Sequence, residues 1–93
     1  MYVRVTRIQG DPARIDEASQ LVGDTAAAVK RLPGNQSLVL GRDRARGGGV
    51  AVSTWDTEEH ARWSRDVLGD LLPRLQALGT EFESPEIFEV TST

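Results

Sequence analysis

Gln36–Arg42 (QSLVLGR) and Val50–Trp55 (VAVSTW) flank a turn over Arg44–Gly49 that contains three consecutive glycines. Both flanks are short, β-branched and apolar, and the turn breaks them sharply, so the stretch reads as a β-hairpin with a loop of several residues. Leu38-Val39-Leu40 and Val50-Ala51-Val52 are apolar on consecutive positions. Successive strand side chains point to opposite faces. Both faces of the sheet are therefore apolar, whereas a half-solvated antiparallel sheet alternates more cleanly.

Working outward, Tyr2–Ile8 (YVRVTRI) alternates and reads as a strand. Asp11 precedes Pro12, a favoured cap and first helical position. Ile15, Ala18, Val22, Thr25, Val29 and Leu32 then fall at three- and four-residue steps, which predicts a helix over Ala13–Leu32. Asp16 and Glu17 near its start and Lys30 and Arg31 near its end complement the helix dipole, and Pro33-Gly34 stops it. Asp56 or Thr57 caps a second helix, with Asp56 and Glu59 at capping-box spacing. That helix is expected to run from Thr57 toward Leu78, kinked near Gly69–Pro73. Phe82–Thr91 supplies a last strand, best formed over Glu86–Val90, with Pro85 suited to a bulge or an edge. The order β-α-β-β-α-β over residues 1–93 predicts one α+β domain, ferredoxin-like, with a four-stranded antiparallel sheet covered on one face by both helices.

A large apolar patch is unusual on the surface of a monomer, so the uncovered face is expected to pack on a second copy. Chain length agrees: 93 residues without a cysteine build a thin core that no disulfide can supplement. The one histidine, His60, is too few for a multi-histidine metal site within one chain. A net charge of −3 argues against general nucleic-acid binding. No apolar run approaches the ~20 residues that span a bilayer, no signal peptide is recognisable at the start, and the absent cysteines fit a cytoplasmic location. Arginine outnumbers lysine ten to one, which reads as coding bias.

Two motifs carry a family resemblance. Leu32-Pro33-Gly34 joins a helix to a strand, and Ser53-Thr54-Trp55-Asp56-Thr57-Glu58-Glu59-His60-Ala61 ends a strand on tryptophan and opens a helix on an acidic cap. With the element order, they make nearly the whole chain resemble the antibiotic biosynthesis monooxygenase (ABM) domains of the dimeric α/β-barrel superfamily. The resemblance implies a homodimeric α/β barrel. It also implies three possible activities: cofactor-free oxygenation of aromatic polyketide-like substrates, haem degradation, or ligand or partner binding without catalysis. The haem-degrading members use an asparagine in the first strand and a tryptophan and histidine in the second helix. Here Thr6 replaces the asparagine, Trp63 lies within about one position of the tryptophan, and His60 comes a turn too early, so haem is disfavoured.

The leading expectation is a monooxygenase that uses neither metal nor flavin, with a small aromatic ligand held between sheet and helices of a homodimer. Such an enzyme must stabilise a phenolate or enolate in a dry site. Val3 and Val5 suit the helix-packed face, which would point Arg4 and Thr6 into a cavity shared between subunits. Arg4 then stabilises the anion, Thr6 donates a hydrogen bond, and Trp63 stacks on a planar ligand, with Val67 and Tyr2 as further binding residues. The plainer alternative pairs Arg4 with an interface carboxylate and buries Trp63 in the core. His60 is the natural general-base candidate, against the plainer reading of a solvated first-turn histidine. Arg42–Gly49 connects two strands rather than a strand and a helix, so it reads as a mobile hairpin tip and not a phosphate loop.

Overall fold

The computed structural model describes residues 1–93. β1 (Tyr2–Gln9) leads through a short 3₁₀ turn at Pro12–Arg14 into α1 (Ile15–Lys30), then β2 (Asn35–Arg42) and β3 (Gly49–Trp55). α2 (Glu58–Ala61), a second 3₁₀ turn (Arg65–Leu68) and α3 (Leu71–Ala77) follow, and β4 (Glu81–Phe82) and β5 (Glu86–Glu89) close the chain. The sheet is antiparallel in the order β2-β3-β1, with β4 and β5 both pairing the far side of β1. This is the expected ferredoxin-like order, with one correction. The last strand is two pieces, so the sheet has five strands rather than four. Ser84-Pro85 separates the pieces, because proline has no N–H to give to the ladder.

The first helix starts as expected: the Asp11 carboxylate accepts a hydrogen bond from Ala13 N at 2.9 Å, with Pro12 at the first position. The second helix departs from expectation more strongly. It breaks into α2, the 3₁₀ turn and α3, and the first break comes at Arg62–Ser64, well before Pro73. Thr57 rather than Asp56 is the cap of α2, its hydroxyl accepting from His60 N at 3.1 Å. Ser64 then caps the 3₁₀ turn by accepting from Asp66 N at 3.2 Å. A capping serine inside the run offers the backbone a fresh start and competes with helix continuation.

The core lies between the sheet and the helices, in two clusters. Trp55, fully buried, packs with Val29, Ala61 and Leu68, and fully buried Leu75 packs with Ala18 and Leu21. Strand register decides which residues of β1 join it. Tyr2 lies opposite Trp55, Arg4 opposite Ser53 and Thr6 opposite Ala51. Opposed residues share a face, so Tyr2, Arg4 and Thr6 face the helices with Trp55. Val3 and Val5 face away. This reverses the expected assignment, in which Val3 and Val5 packed on the helices. The apolar rule failed because valines line the uncovered face too: Val5, Val52 and Val39 form one cross-strand row there. Val39 and Phe88 are more than half exposed on that face.

The hairpin tip is seated, not free. Asp43 accepts from Ala45 N, Arg46 N and, through its carbonyl, Gly47 N, which closes a tight turn. Gly47 has φ +83°, and a side chain on it would strike Gly10 and Pro12, so the tip docks on the β1–α1 junction. The two motifs that carried the resemblance also meet. Asp56 N donates to Gly34 O at 3.1 Å. A methyl group on Gly34 (φ +80°) would strike both Asp56 Oδ1 and His60 Nδ1.

Candidate functional site

Between the sheet and the helices lies a cavity with about 60 Å³ of room for a water-sized sphere. Its apolar walls include Val22 and Val29 from α1, Leu38 from β2, Leu68 and Leu72 from the broken second helix, and Phe82 from β4. Arg4, Thr6, Ser53, Trp63 and Arg65 supply polar atoms. Its only charged residues are the two arginines.

Arg4 is 3% exposed. Its Nη1 donates to the carbonyl of Ala61 at 2.9 Å and to that of Trp63 at 2.8 Å, the frayed C-terminal end of α2. Its guanidinium carbon lies 4.0 Å from the centre of the Trp63 ring, a cation–π contact. No ion pair reaches it, since the four in the chain use Arg14, Arg46, His60 and Arg62. No carboxylate of its own chain pairs with Arg4. Arg4 Nε is buried without a partner, and so is Trp63 Nε1. Burial lowers the Arg4 pKa to about 10, helped by the like charge of Arg65. The group is still a cation at neutral pH. A buried cation without a counter-ion is costly to fold.

The break after α2 is what makes this arrangement. A continuous helix would spend the Ala61 and Trp63 carbonyls on its own ladder. Freed there, they accept from Arg4 instead. The 3₁₀ turn brings Arg65 to the rim, where it donates to the backbone carbonyls of Phe82 at 3.2 Å and of Glu83.

Of the residues expected in a site, the structure brings Arg4, Thr6 and Trp63 together. Thr6 lies two residues along the same face of β1. Trp63 lines the cavity, but Arg4 covers one face of its ring, which leaves that face no ligand to stack on. The other three lie elsewhere. Tyr2 packs against the Trp55 cluster near the sheet's end. Val67 is 54% exposed, because the 3₁₀ turn rotates it outward while burying Leu68. His60 sits over Gly34, with Nδ1 2.7 Å from Asp56 Oδ1, and does not line the cavity. No histidine, cysteine, methionine or tyrosine lines the cavity, so it offers haem iron no axial ligand.

The His60 hydrogen bond holds the Asp56 carboxyl below its usual range. A depressed carboxyl adds stability above its unfolded pKa and loses it as pH falls through the folded value. Thermal melts of Asp56→Asn are therefore expected to show a shallower loss of Tm below about pH 4 than the parent chain. Identical acid limbs would remove the pair from the account of stability.

Sequence reasoning missed Arg65, Ser53 and the leucines. Cross-strand register would have placed Ser53 beside Arg4. Arg65 carried no signal, because its place depends on a helix break at Arg62–Ser64 that periodicity does not reveal.

No family model matches this chain, and no curated protein does. Solved structures do match over the full chain. A provisionally assigned antibiotic biosynthesis monooxygenase from Deinococcus radiodurans aligns at a TM-score of 0.79 with 14% identity, covering 100% of this chain and 95% of that one. SnoaB from Streptomyces nogalater, a cofactor-independent oxygenase, aligns at 0.72 with 24% identity, covering 99% and 94%. A variant of SnoaB aligns at 0.70 with 26% identity over the same shares. The fold is that of the antibiotic biosynthesis monooxygenases, as the sequence resemblance implied. No helix is long and apolar enough to cross a membrane.

Proposed function

We propose that this chain is a monooxygenase that works without metal or flavin on a small hydroxyaromatic or polyketide-like substrate. The observation that carries this is Arg4, a buried cation with no counter-ion in an apolar cavity. The similarity to SnoaB, a cofactor-independent oxygenase, supports it. The substrate itself is the reductant. Its enolate gives an electron to O₂, the resulting radicals join as a carbon-bound peroxide, and loss of water leaves a carbonyl. A CH₂ becomes C=O, one oxygen enters the product and the other leaves in water. Arg4 holds the negative oxygen of the enolate, and Thr6 donates a hydrogen bond to it. A dry, apolar wall strengthens both interactions. In this reading Tyr2, Val67 and His60 touch no substrate.

An oxygen electrode with a hydroxyanthrone and a panel of phenols tests it. Uptake is expected with at least one of them, and Arg4→Ala is expected to lower it by about 10²-fold, the usual effect of removing one anion-holding donor. A panel without turnover would instead favour a ligand-binding module of the same fold. The small cavity gives that second reading its support.

We also propose a homodimer in which the uncovered sheet face, with Val5, Val39, Val52 and Phe88, packs on its copy. The chemistry then lies inside each subunit's cavity.

A further inference from the structure

We propose that the groove between the N-terminal half of α1 and the β2–β3 hairpin tip is a second small-molecule site, built for an aliphatic monocarboxylate. Its polar groups are not those of the Arg4 cavity, and it stands without the oxygenase reading.

Three loops meet at this end of the sheet. Gly10-Asp11 follows β1, and the hairpin tip docks on it, since a side chain on Gly47 would strike Gly10 and Pro12. Gly79-Thr80 precedes β4 and packs on the same junction, where a side chain on Gly79 would begin 3.3 Å from Asp11 Cβ. Between these loops and α1 lies a groove with about 300 Å³ of room. That is the lower end of the range for small-molecule sites. Its floor is apolar: Ile8 of β1, Leu40 of β2, and Ile15, Ala18 and Val22 of α1. Leu40 is 42% exposed. It lies opposite Ala51, which lies opposite Thr6, so it is on the helix side of the sheet. The proposed dimer face therefore does not cover it, and α1 leaves it open.

The polar groups gather toward the loops. Arg42 and Arg44 line the groove, and neither makes an ion pair within the chain. Arg42 Nη2 donates to Ser19 Oγ at 3.0 Å, and Ser19 Oγ donates to Ile15 O at 2.9 Å. This relay holds Arg42 across the gap from β2 to α1. Thr80 is only 5% exposed and lines the groove. Its N–H donates to Leu75 O at 3.0 Å, but its hydroxyl has no partner. Thr80 Oγ1 lies 4.0 Å from the point where a side chain on Gly10 would begin, on the groove wall. A hydroxyl so placed and left unpartnered calls for an explanation. A ligand oxygen in the groove supplies one. The one carboxylate there, Asp11, caps the first helical turn by accepting from Ala13 N at 2.9 Å. Two arginines against one carboxylate leave a single net positive charge. That matches one carboxylate group with its alkyl tail along the floor, and disfavours a dianion.

Calorimetric titration of the parent chain with hexanoate, butanoate, hexan-1-ol and inorganic phosphate tests this. Hexanoate is expected to bind. Hexan-1-ol is expected to bind at least about tenfold more weakly, having no charge to offer the arginines. Butanoate is expected to bind about tenfold more weakly, the usual effect of two buried methylenes. Phosphate is expected not to compete. Arg44→Gln, at an exposed turn position, is expected to weaken hexanoate about threefold to fivefold at low salt, and less at high salt. Thr80→Val removes the hydroxyl at nearly constant shape and is expected to weaken it about tenfold. Arg44→Gln carries the test should Thr80→Val not fold. No binding of hexanoate at millimolar concentration overturns the inference. So does hexan-1-ol or phosphate that binds as tightly as hexanoate. Hexanoate affinity unchanged in Arg44→Gln, but lost in Arg4→Lys, would put the acid in the inner cavity and overturn it too. None of these outcomes bears on oxygen uptake, so this site and the oxygenase reading stand or fall separately.

Discussion

Trp55→Ala is expected to destabilise the chain by about 3–5 kcal/mol, the range for emptying a buried aromatic site. Trp55 is 0% exposed and touches the centre of the larger core cluster. Its ring lies 6.4 Å from that of Trp63, and its Nε1 donates to Ser53 Oγ at 2.8 Å. Removing it opens a cavity and strands a buried hydroxyl acceptor. A domain of 93 residues has only about 5–14 kcal/mol in total. At roughly 4–8 °C per kcal/mol, the melting temperature falls by something on the order of 20 °C. Urea unfolding followed by circular dichroism measures this directly. A loss below about 1 kcal/mol would mean that Trp55 does not anchor the core. The loss should also reach the site, because Trp55 holds both Ala61 and Trp63, whose carbonyls position Arg4.

The second large effect concerns the uncovered sheet face. Val39→Asp is expected to convert a homodimer into a folded monomer at micromolar concentration. Val39 is 65% exposed, so the substitution leaves the subunit core intact. In a two-fold interface the change occurs twice, and each new carboxylate is buried among valines. An unpaired buried charge costs several kcal/mol, which corresponds to a fall in dimer affinity of about 10³-fold or more. Native mass spectrometry should find the parent chain at twice 10.2 kDa and the variant at 10.2 kDa. A parent chain already monomeric at that concentration would overturn the dimer. A variant that remains dimeric would place the interface elsewhere.

The two expectations bear differently on the chemistry. The cavity with Arg4, Thr6 and Trp63 is built within one chain, from the sheet and its own helices. A monomeric variant should therefore keep the oxygen uptake expected of the parent chain. The proposed dimer would cover the opposite face of the sheet and stabilise the thin two-layer structure from outside.

Local signals were legible where the chemistry was local. The Asp11-Pro12 start of the first helix and the hairpin around Asp43–Gly49 each follow from one or two residues whose backbone preferences decide the matter, and Pro85 marked the last strand as an edge although not its division in two. The break at Arg62–Ser64 was not legible. Ala61, Val67, Leu68, Leu71 and Leu72 keep a helical stripe across it in sequence. Only the competing cap at Ser64 and the pull of Arg4 on two freed carbonyls interrupt it in space. The faces of β1 were misread for a related reason. Alternation separates Val3 and Val5 from Arg4 and Thr6, but it cannot say which set meets the helices. On a sheet with apolar residues on both sides, polarity does not settle that question either.

By itself, then, the sequence determined a βαββαβ chain with an apolar sheet on both sides. Turn residues, caps and periodicity act over a few positions and carry that information without help. The tertiary structure alone decided that Arg4 lies under the helices without a counter-ion, beside Trp63 and away from His60. That arrangement depends on cross-strand register against Trp55, and on where the second helix breaks. Both result from packing between segments far apart in the chain, Arg4 against Ser53 across the sheet and against Ala61 under the helices.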